Sequence, residues 1–504
     1  MAVEFFLAKN SSESAKANGI ALHSAYNPEI EAERFAQGLD AAFVPACVIV
    51  LEAALGHCLP FLRKKFPGAK IGVIRFCEDF KSRDKEWDFA LSLRKDASEK
   101  GAAEPLSERL FLALGEEGLY KTLFYEWPPS ARAWPEETRI AWQEIKAAAQ
   151  KAKAVLATRE HFGKRWLKNK IHFFERLQKT ATLKKIKAPL VICASGPSLE
   201  EALPAIKAAR KKIFLCALSS SATVLARFGL EPDLCMSCDG GWWAKKHLDI
   251  FRKRLLNCPL ALATEAALPA CLFKTKAIVP LCYDDDALSK ELFDALGVGC
   301  LFARRNGTVS GSALELFKSL SDGPIFFAGL DMQASKTRGH ARPNALQTES
   351  EAKDFRLFPK ATRAARSALK NEALEIYASW FSSFPLKEER VFRIKGREPF
   401  KRRLGSIADI SAEDFLKKLE SQKDCESASF FTAASLANEK DKKGAMRQVL
   451  EKWRGSKEFL AELFPADCII AAREKDEQEK KRRLDAARKK SERLFQEIYK
   501  EGLD

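Results

Sequence analysis

Several clusters of small and acidic residues in the middle of the chain have the composition of a phosphorylated-ligand site. The first, Ser195-Gly196-Pro197-Ser198, separates an apolar run over 190–194 from a helical pattern over 200–210. Gly196 lets a ligand approach the backbone, Pro197 suits a first helical position, and the amides at a helix start favour an anion. The second, Asn306-Gly307-Thr308-Val309-Ser310-Gly311-Ser312, opens another helical pattern with hydroxyls and glycines that suit phosphate or ribose. The third is Gly329-Leu330-Asp331, closing the apolar run 325–328, with His340 nine positions after Asp331 in a polar loop. Ser219 and Asp239 end two further apolar runs, Asp239 being followed by Gly240-Gly241. For transfer to a hydroxyl, His340, Asp239 and Asp331 are the candidate general bases, since a hydroxyl does not ionise near neutrality. Asp239 reads equally well as a partner of ribose hydroxyls or of a metal ion. Each feature also has a plain structural reading: the turn as an ordinary helix N-cap, His340 as an exposed loop residue.

These residues need a scaffold that brings the ends of separate segments together. Strands are expected at 190–194, 212–218, 233–238, 259–264, 276–283 and 324–328, alternating with helical patterns. That alternation predicts an α/β fold with a mostly parallel, doubly wound sheet, whose ligands sit outside the carboxyl ends of the strands. A smaller α/β region precedes it, with a strand at 46–51, a helix at 55–66, a strand at 70–76 and a long helix at 136–157. We divide the chain into an N-terminal domain (1–150), a basic helical connector (151–188), the ligand domain (189–345) and a helical C-terminal region (346–504). Strand signals nearly vanish after Ser350. A helix is expected over 361–381, and 439–504 reads as a solvated helix or helical hairpin rich in Lys, Arg, Glu and Ala.

A chain of 504 residues exceeds one typical core, and 46% hydrophobic with 30% charged residues is ordinary for a soluble protein. The start lacks a secretion-signal pattern, and the most apolar window, 44–62, contains Glu52 and two prolines. We expect no membrane span and a cytoplasmic location. Thirteen cysteines lie scattered, many in apolar runs, as small core residues; Cys235 and Cys238 form a CxxC on an expected strand, without a second ligand pair. The net charge of +17 is spread widely with no nucleic-acid-binding motif, so we read it as a basic solvated surface rather than a nucleic-acid site. His57, His172 and His247 are assigned packing or surface roles. Trp242-Trp243 reads as the core and rim of a cleft, or as a stacking wall.

Taken together, Ala194-Ser195-Gly196-Pro197-Ser198-Leu199, Pro232-Asp233 through Asp239, Asn306-Gly307-Thr308-Val309, and Gly329-Leu330-Asp331 with His340 resemble the MptE-like (DUF115) domain. That domain occurs in motility accessory factors, the flagellin glycosyltransferases, and in archaeal 6-hydroxymethylpterin diphosphokinases. The Gly-Pro-Ser-Leu turn also resembles the opening of CMP-sialic-acid-dependent sialyltransferases. Leu22-His23-Ser24-Ala25-Tyr26-Asn27-Pro28, Leu55-Gly56-His57 and Phe162-Gly163-Lys164-Arg165-Trp166 with Asn169 are similar to motility accessory factor motifs, extending the resemblance over about 20–345. Ala194 stands where the family has a glycine, and Glu52-Ala53 replaces the glycine of the first domain's turn, which weighs against a separate nucleotide site there.

The resemblance implies a Rossmann-like, sialyltransferase-like central domain. It implies transfer of a nonulosonic acid of pseudaminic or legionaminic type from a CMP-sugar to Ser or Thr of flagellin, without a required cofactor or metal. Ser195, Gly196, Pro197, Ser198, Ser219, Asn306, Gly307, Thr308 and Ser310 would contact the nucleotide. His340 is the first choice of base, with Asp239 and Asp331 beside it, and the flanking regions would recognise flagellin. Two alternatives stay open: a 6-hydroxymethylpterin diphosphokinase using ATP and Mg²⁺ held by Asp239 and Asp331, and a flagellin-binding module that has lost the chemistry.

Overall fold

The computed structural model describes residues 3–93, 105–253, 256–305, 307–333, 339–362, 372–383, 390–397, 400, 402–435 and 439–502. Its contacts divide the chain into two compact units, Met1–Lys164 with Arg454–Gln496, and Arg165–Trp453 with Glu497–Asp504.

In the first unit, β1 (Glu4–Leu7), β2 (Glu13–Ala17) and β3 (Ile20–Ala21) form a small antiparallel sheet. A second sheet contains β4 (Cys47–Leu51), β5 (Lys70–Arg75), β6 (Phe89–Ser92) and β7 (Thr122–Glu126), ordered β6-β5-β4-β7 and parallel throughout. Both of its faces are covered, which is why β4 is apolar at every position. Val48 and Val50 pack with Ala32, Ala36 and Leu62 of the helices Pro28–Gly38 and Leu59–Lys65. Cys47, Ile49 and Leu51 face Leu110 of helix Leu106–Tyr120, and Ala141 and Ile145 of helix Pro135–Arg176.

The second unit is built on one large sheet. Its strands are β8 (Lys179–Leu183), β9 (Leu190–Cys193), β10 (Phe214–Leu218), β11 (Leu234–Ser237), β12 (Leu260–Ala263), β13 (Ile278–Tyr283), β14 (Leu301–Ala303), β15 (Ile325–Ala328), β16 (Val391–Ile394), β17 (Ala408–Ile410) and β18 (Phe431–Ser435). The order is β17-β16-β15-β9-β10-β11-β12-β13-β8-β18, with β14 also on β13; only β18 runs antiparallel to its neighbour. Helices cover both faces, as β15 shows. Phe327 meets Phe381 edge-on at 6.1 Å on one face, and Phe326 meets Phe415 at 5.0 Å on the other.

The α/β class and the parallel central sheet are as expected, but the C-terminal third differs. β16, β17 and β18 lie in the stretch read as helical and extend this sheet at both ends. They are three to five residues long, and Arg393 interrupts the apolar pattern of β16, so periodicity does not reveal them. The stretch 439–504 is not a solvated hairpin either. It forms helices Glu439–Trp453, Lys457–Leu463, Pro465–Arg473 and Glu477–Gly502, and Phe459 packs on Phe495 with ring centroids 5.0 Å apart, both buried. The expected connector is the end of helix Pro135–Arg176 followed by β8. Of the helix expected at 361–381, Glu372–Ser383 is seen; 363–371 lies outside the described residues.

Candidate functional site

In the large sheet the chain order reverses at β9, which has β10 on one side and β15 on the other. Open parallel sheets place ligands outside the carboxyl ends of strands at such a reversal. After β9, the Leu199 amide donates to Gly196 O at 3.0 Å and closes a tight turn with Pro197 in its second position. The helix starts only at Leu199, so Pro197 belongs to the turn and not to the first helical position. After β15, Gly329 (φ 74°) and Met332 (φ 48°) bring the chain over this turn. Gly196 N–H donates to Gly329 O at 2.8 Å. Asp331 accepts the Ser198 amide on Oδ2 at 3.1 Å and the Ser198 hydroxyl on Oδ1.

This geometry changes the reason for the glycine. A Cβ at residue 196 would lie 2.5 Å from Gly329 O and 2.6 Å from Asp331 Oδ1, so the close approach there is made by the chain's own loop. The amides of Gly196 and Ser198, which the sequence suggested would cup a phosphate, are both engaged inside the protein. Burial raises the Asp331 carboxyl above its ordinary pKa, while the Ser198 bonds and Arg393 pull the other way. Arg393, fully buried on β16, supports the loop from behind. It donates to Leu330 O at 3.2 Å and, bidentately, to Asp409 at 2.7 and 3.0 Å.

The loop carrying His340 is tied to the same turn. Ala341 N–H donates to Ser195 O at 2.8 Å, Arg342 N–H to Glu200 Oε1 at 2.7 Å, and Asn344 Nδ2 to Ser220 O at 3.2 Å. Asn344 also caps helix Ala345–Ala352 by accepting from the Gln347 amide. His340 is half-buried, and burial lowers its pKa, leaving a neutral imidazole near pH 7. It acts electrostatically on His247, at the end of helix Trp242–His247, whose pKa falls to about 4 through burial and His340 against the opposing Asp239. Sequence reasoning assigns His247 a packing or surface role, since no local motif distinguishes it.

Asp239 is exposed after β11, its Oδ1 accepting from the Gly241 amide at 2.7 Å. Its charge helps raise the pKa of Tyr377, after burial. A Cβ on Gly307 (φ 78°) would lie 3.5 Å from Tyr377 Cε1, which places Asp239, Tyr377 and Gly307 in one neighbourhood. Thr308 caps helix Val309–Leu320 by accepting from the Gly311 amide at 3.0 Å, and Ser310 lies half-buried in the first turn. Ser219 is buried after β10, and Ser221 Oγ donates to Cys193 O at 2.6 Å, fastening that turn to β9. Asn306 lies outside the described residues.

Sequence reasoning missed the charged group that holds these loops. Arg305 donates to both oxygens of Glu265 at 2.6 and 2.9 Å, and its guanidinium lies 5.1 Å from the Trp166 ring centroid and 4.4 Å from that of Tyr283. Lys170, with no exposed side-chain surface, sits 3.4 Å from Glu265 and 3.0 Å from Asp286. Asn169 Nδ2 donates to Gly240 O at 3.2 Å and Glu265 O at 2.8 Å. Trp166, Asn169 and Lys170 recur on one stripe of a helix, so that stripe clasps the loops after β11, β12, β13 and β14. Among the described residues, no three His, Cys, Asp or Glu side chains gather as metal ligands, and no helix is long and apolar enough to cross a membrane.

Residues 164–337, which include the turns after β9, β10, β11 and β15 and end before His340, match the family described as 6-hydroxymethylpterin diphosphokinase MptE-like. An uncharacterized protein of Treponema pallidum (strain Nichols) is 31% identical over 326 residues, 64% of this chain and 70% of that protein. The chain therefore carries an MptE-like domain over residues 164–337. Its fold is also similar to the structure of MAf glycosyltransferase from Magnetospirillum magneticum AMB-1, with a TM-score of 0.50 and 12% identity over 98% of this chain and 91% of that one. At that identity the likeness concerns the fold, and it extends beyond the MptE-like domain to both units.

Proposed function

We propose that this MptE-like protein is a glycosyltransferase that moves a nonulosonic acid from a CMP-sugar to Ser or Thr of flagellin in the cytoplasm. The observation that carries the reading is the convergence of the Ser195–Ser198 turn, Asp331 and the His340 loop at the strand-order reversal, in a fold shared with a MAf glycosyltransferase. The acceptor hydroxyl attacks the anomeric carbon of the donor. The bond to the CMP phosphate oxygen breaks, CMP leaves as the anion, and the hydroxyl proton passes to a base. Neutral His340 is suited to take it. The phosphate's charge is best received at the start of helix Val309–Leu320, where Gly307, Thr308 and Ser310 lie and where first-turn amides lack intrahelical partners. Asp331, with both oxygens on Ser198, is assigned to positioning the turn, and Asp239 to the sugar or ribose hydroxyls.

His340→Ala should lower the transfer rate at least 100-fold while calorimetry still detects CMP. Transfer at the unaltered rate would reject the assignment. The family description favours a second reading, phosphoryl transfer from ATP with Mg²⁺ to a hydroxymethylpterin. Calorimetry separates the two, because a CMP-sugar enzyme binds CMP in EDTA, whereas the diphosphokinase reading requires ATP binding that depends on Mg²⁺. If neither nucleotide binds, both enzymatic readings fail.

A further inference from the structure

The N-terminal unit has its own reversal of strand order, and a side chain fills it. β4 has β5 on one side and β7 on the other, the arrangement in which a parallel sheet takes a ligand at its carboxyl ends. Glu52 follows β4 directly and is fully buried. Its Oε1 accepts from the Ala54 amide at 3.2 Å and from Arg75 Nη1 at 3.1 Å. Its Oε2 accepts from the amides of Phe76 and Cys77 at 2.5 and 3.1 Å.

The backbone is bent to make this arrangement. Glu52 and Ala54 stand at φ 41° and 48°, a left-handed region that costs a non-glycine residue free energy, and Gly56 follows at 81°. The donors also exceed what one carboxylate takes up. Arg75 Nη2 and His23 Nδ1 are buried with no hydrogen-bond partner among the described residues. His23 Nε2 accepts from the Leu55 amide at 3.1 Å, so Nδ1 carries the ring proton. Arg75 also donates from Nε to Asp84 Oδ1 and from Nη1 to Ala54 O, both at 2.8 Å, so Nη2 is its spare donor. Three amides and one guanidinium N–H thus meet at the Glu52 carboxylate with the guanidinium's Nη2 unpaired, and the His23 ring, bonded to the turn at Leu55, carries a second unpaired N–H. Buried donors left unpaired are costly, and their natural complement is a larger oxyanion.

We propose that the carboxyl edge of the N-terminal sheet is an oxyanion site that Glu52 occupies in place of an external phosphate or carboxylate. The unit is thereby liganded from within, and it is closed to a nucleotide while Glu52 stays in place. Removing the carboxylate opens a site for a small oxyanion. Glycine is the suitable replacement, because it relieves the left-handed strain at residue 52 while leaving the donors untouched.

The test compares thermal unfolding of the full-length chain and its Glu52→Gly and Glu52→Gln variants in sodium formate, sodium phosphate and sodium chloride at equal ionic strength. Anion effects on the second unit are common to all three proteins and cancel in the comparison. Formate or phosphate should raise the Tm of Glu52→Gly by about 3 °C more than that of the unaltered chain, while Glu52→Gln, which refills the space, gains nothing extra. Equal shifts for Glu52→Gly and the unaltered chain would overturn the proposal, as would an equal gain for Glu52→Gln. If Glu52→Gly does not fold in chloride, recovery of folded protein in formate or phosphate supports the site, and failure in all three salts rejects it.

Discussion

Ser198 and Asp331 are 133 residues apart in sequence, yet their direct bonds fix the geometry of the candidate site. Gly196→Ala places a methyl group against Gly329 O and Asp331, and neither neighbour is the free end of a flexible chain. We expect a loss of about 1–3 kcal/mol in urea unfolding, together with weaker nucleotide binding because the 329–331 loop must shift. Asp331 gives a pH signature of definite sign. Its carboxyl is raised from the ordinary 3.8, so the folded form holds this proton more firmly than the unfolded chain. Its contribution to stability therefore falls as pH rises through and above 3.8, and Asp331→Asn should flatten that part of the stability profile. An unchanged profile would place the raised group elsewhere. The residue types at 196, 198 and 331 were legible in the sequence; their engagement with one another was not, because nothing local pairs a turn after β9 with a loop after β15.

At the level of elements, the last turns of helix Pro135–Arg176 act as a strut for four loops. Lys170 is the central member, buried between Glu265 and Asp286. Removing one partner of such a group leaves unpaired buried charge, so Lys170→Met should cost about 3–5 kcal/mol in denaturant unfolding. A loss below about 1 kcal/mol would show that the carboxylates find other partners. Asn169→Ala removes two bonds to backbone carbonyls and should loosen the 239–241 loop, read out as faster amide exchange at Gly240 and Gly241. The sequence showed Trp166 and Asn169 as part of a family-like connector. The roles of Lys170, Glu265 and Arg305 stayed hidden, because charged residues are common in this chain and only their burial makes these three distinctive.

For the molecule as a whole, both units carry a buried histidine held neutral. His23 in the first unit is lowered to about 3 and His247 in the second to about 4, burial being the main cause in each. The unfolded chain takes up protons near pH 6.5 that the folded units refuse, so stability is full above that pH and falls progressively below it. His247→Gln should remove much of the acid sensitivity of the second unit between pH 6.5 and 4, about 3 kcal/mol at 1.4 kcal/mol per pH unit. Hydrogen exchange at β11 against β4 reads the two units separately, and unchanged acid sensitivity at β11 would refute the assignment.

By itself the sequence determined the α/β class, the strands of the central sheet from β9 to β13 with β15, and the residue types at their carboxyl ends. Those are consequences of short-range apolar patterning and of glycine, proline and hydroxyl residues at fixed offsets, which a linear reading detects. Tertiary structure alone decided that Glu52 and Asp331 turn inward onto amides, that β16 to β18 complete the sheet, and that His247 joins His340 and Asp239. Each depends on bonds or burial between segments far apart in the chain, where the free energy comes from removing a polar group from water beside a specific partner.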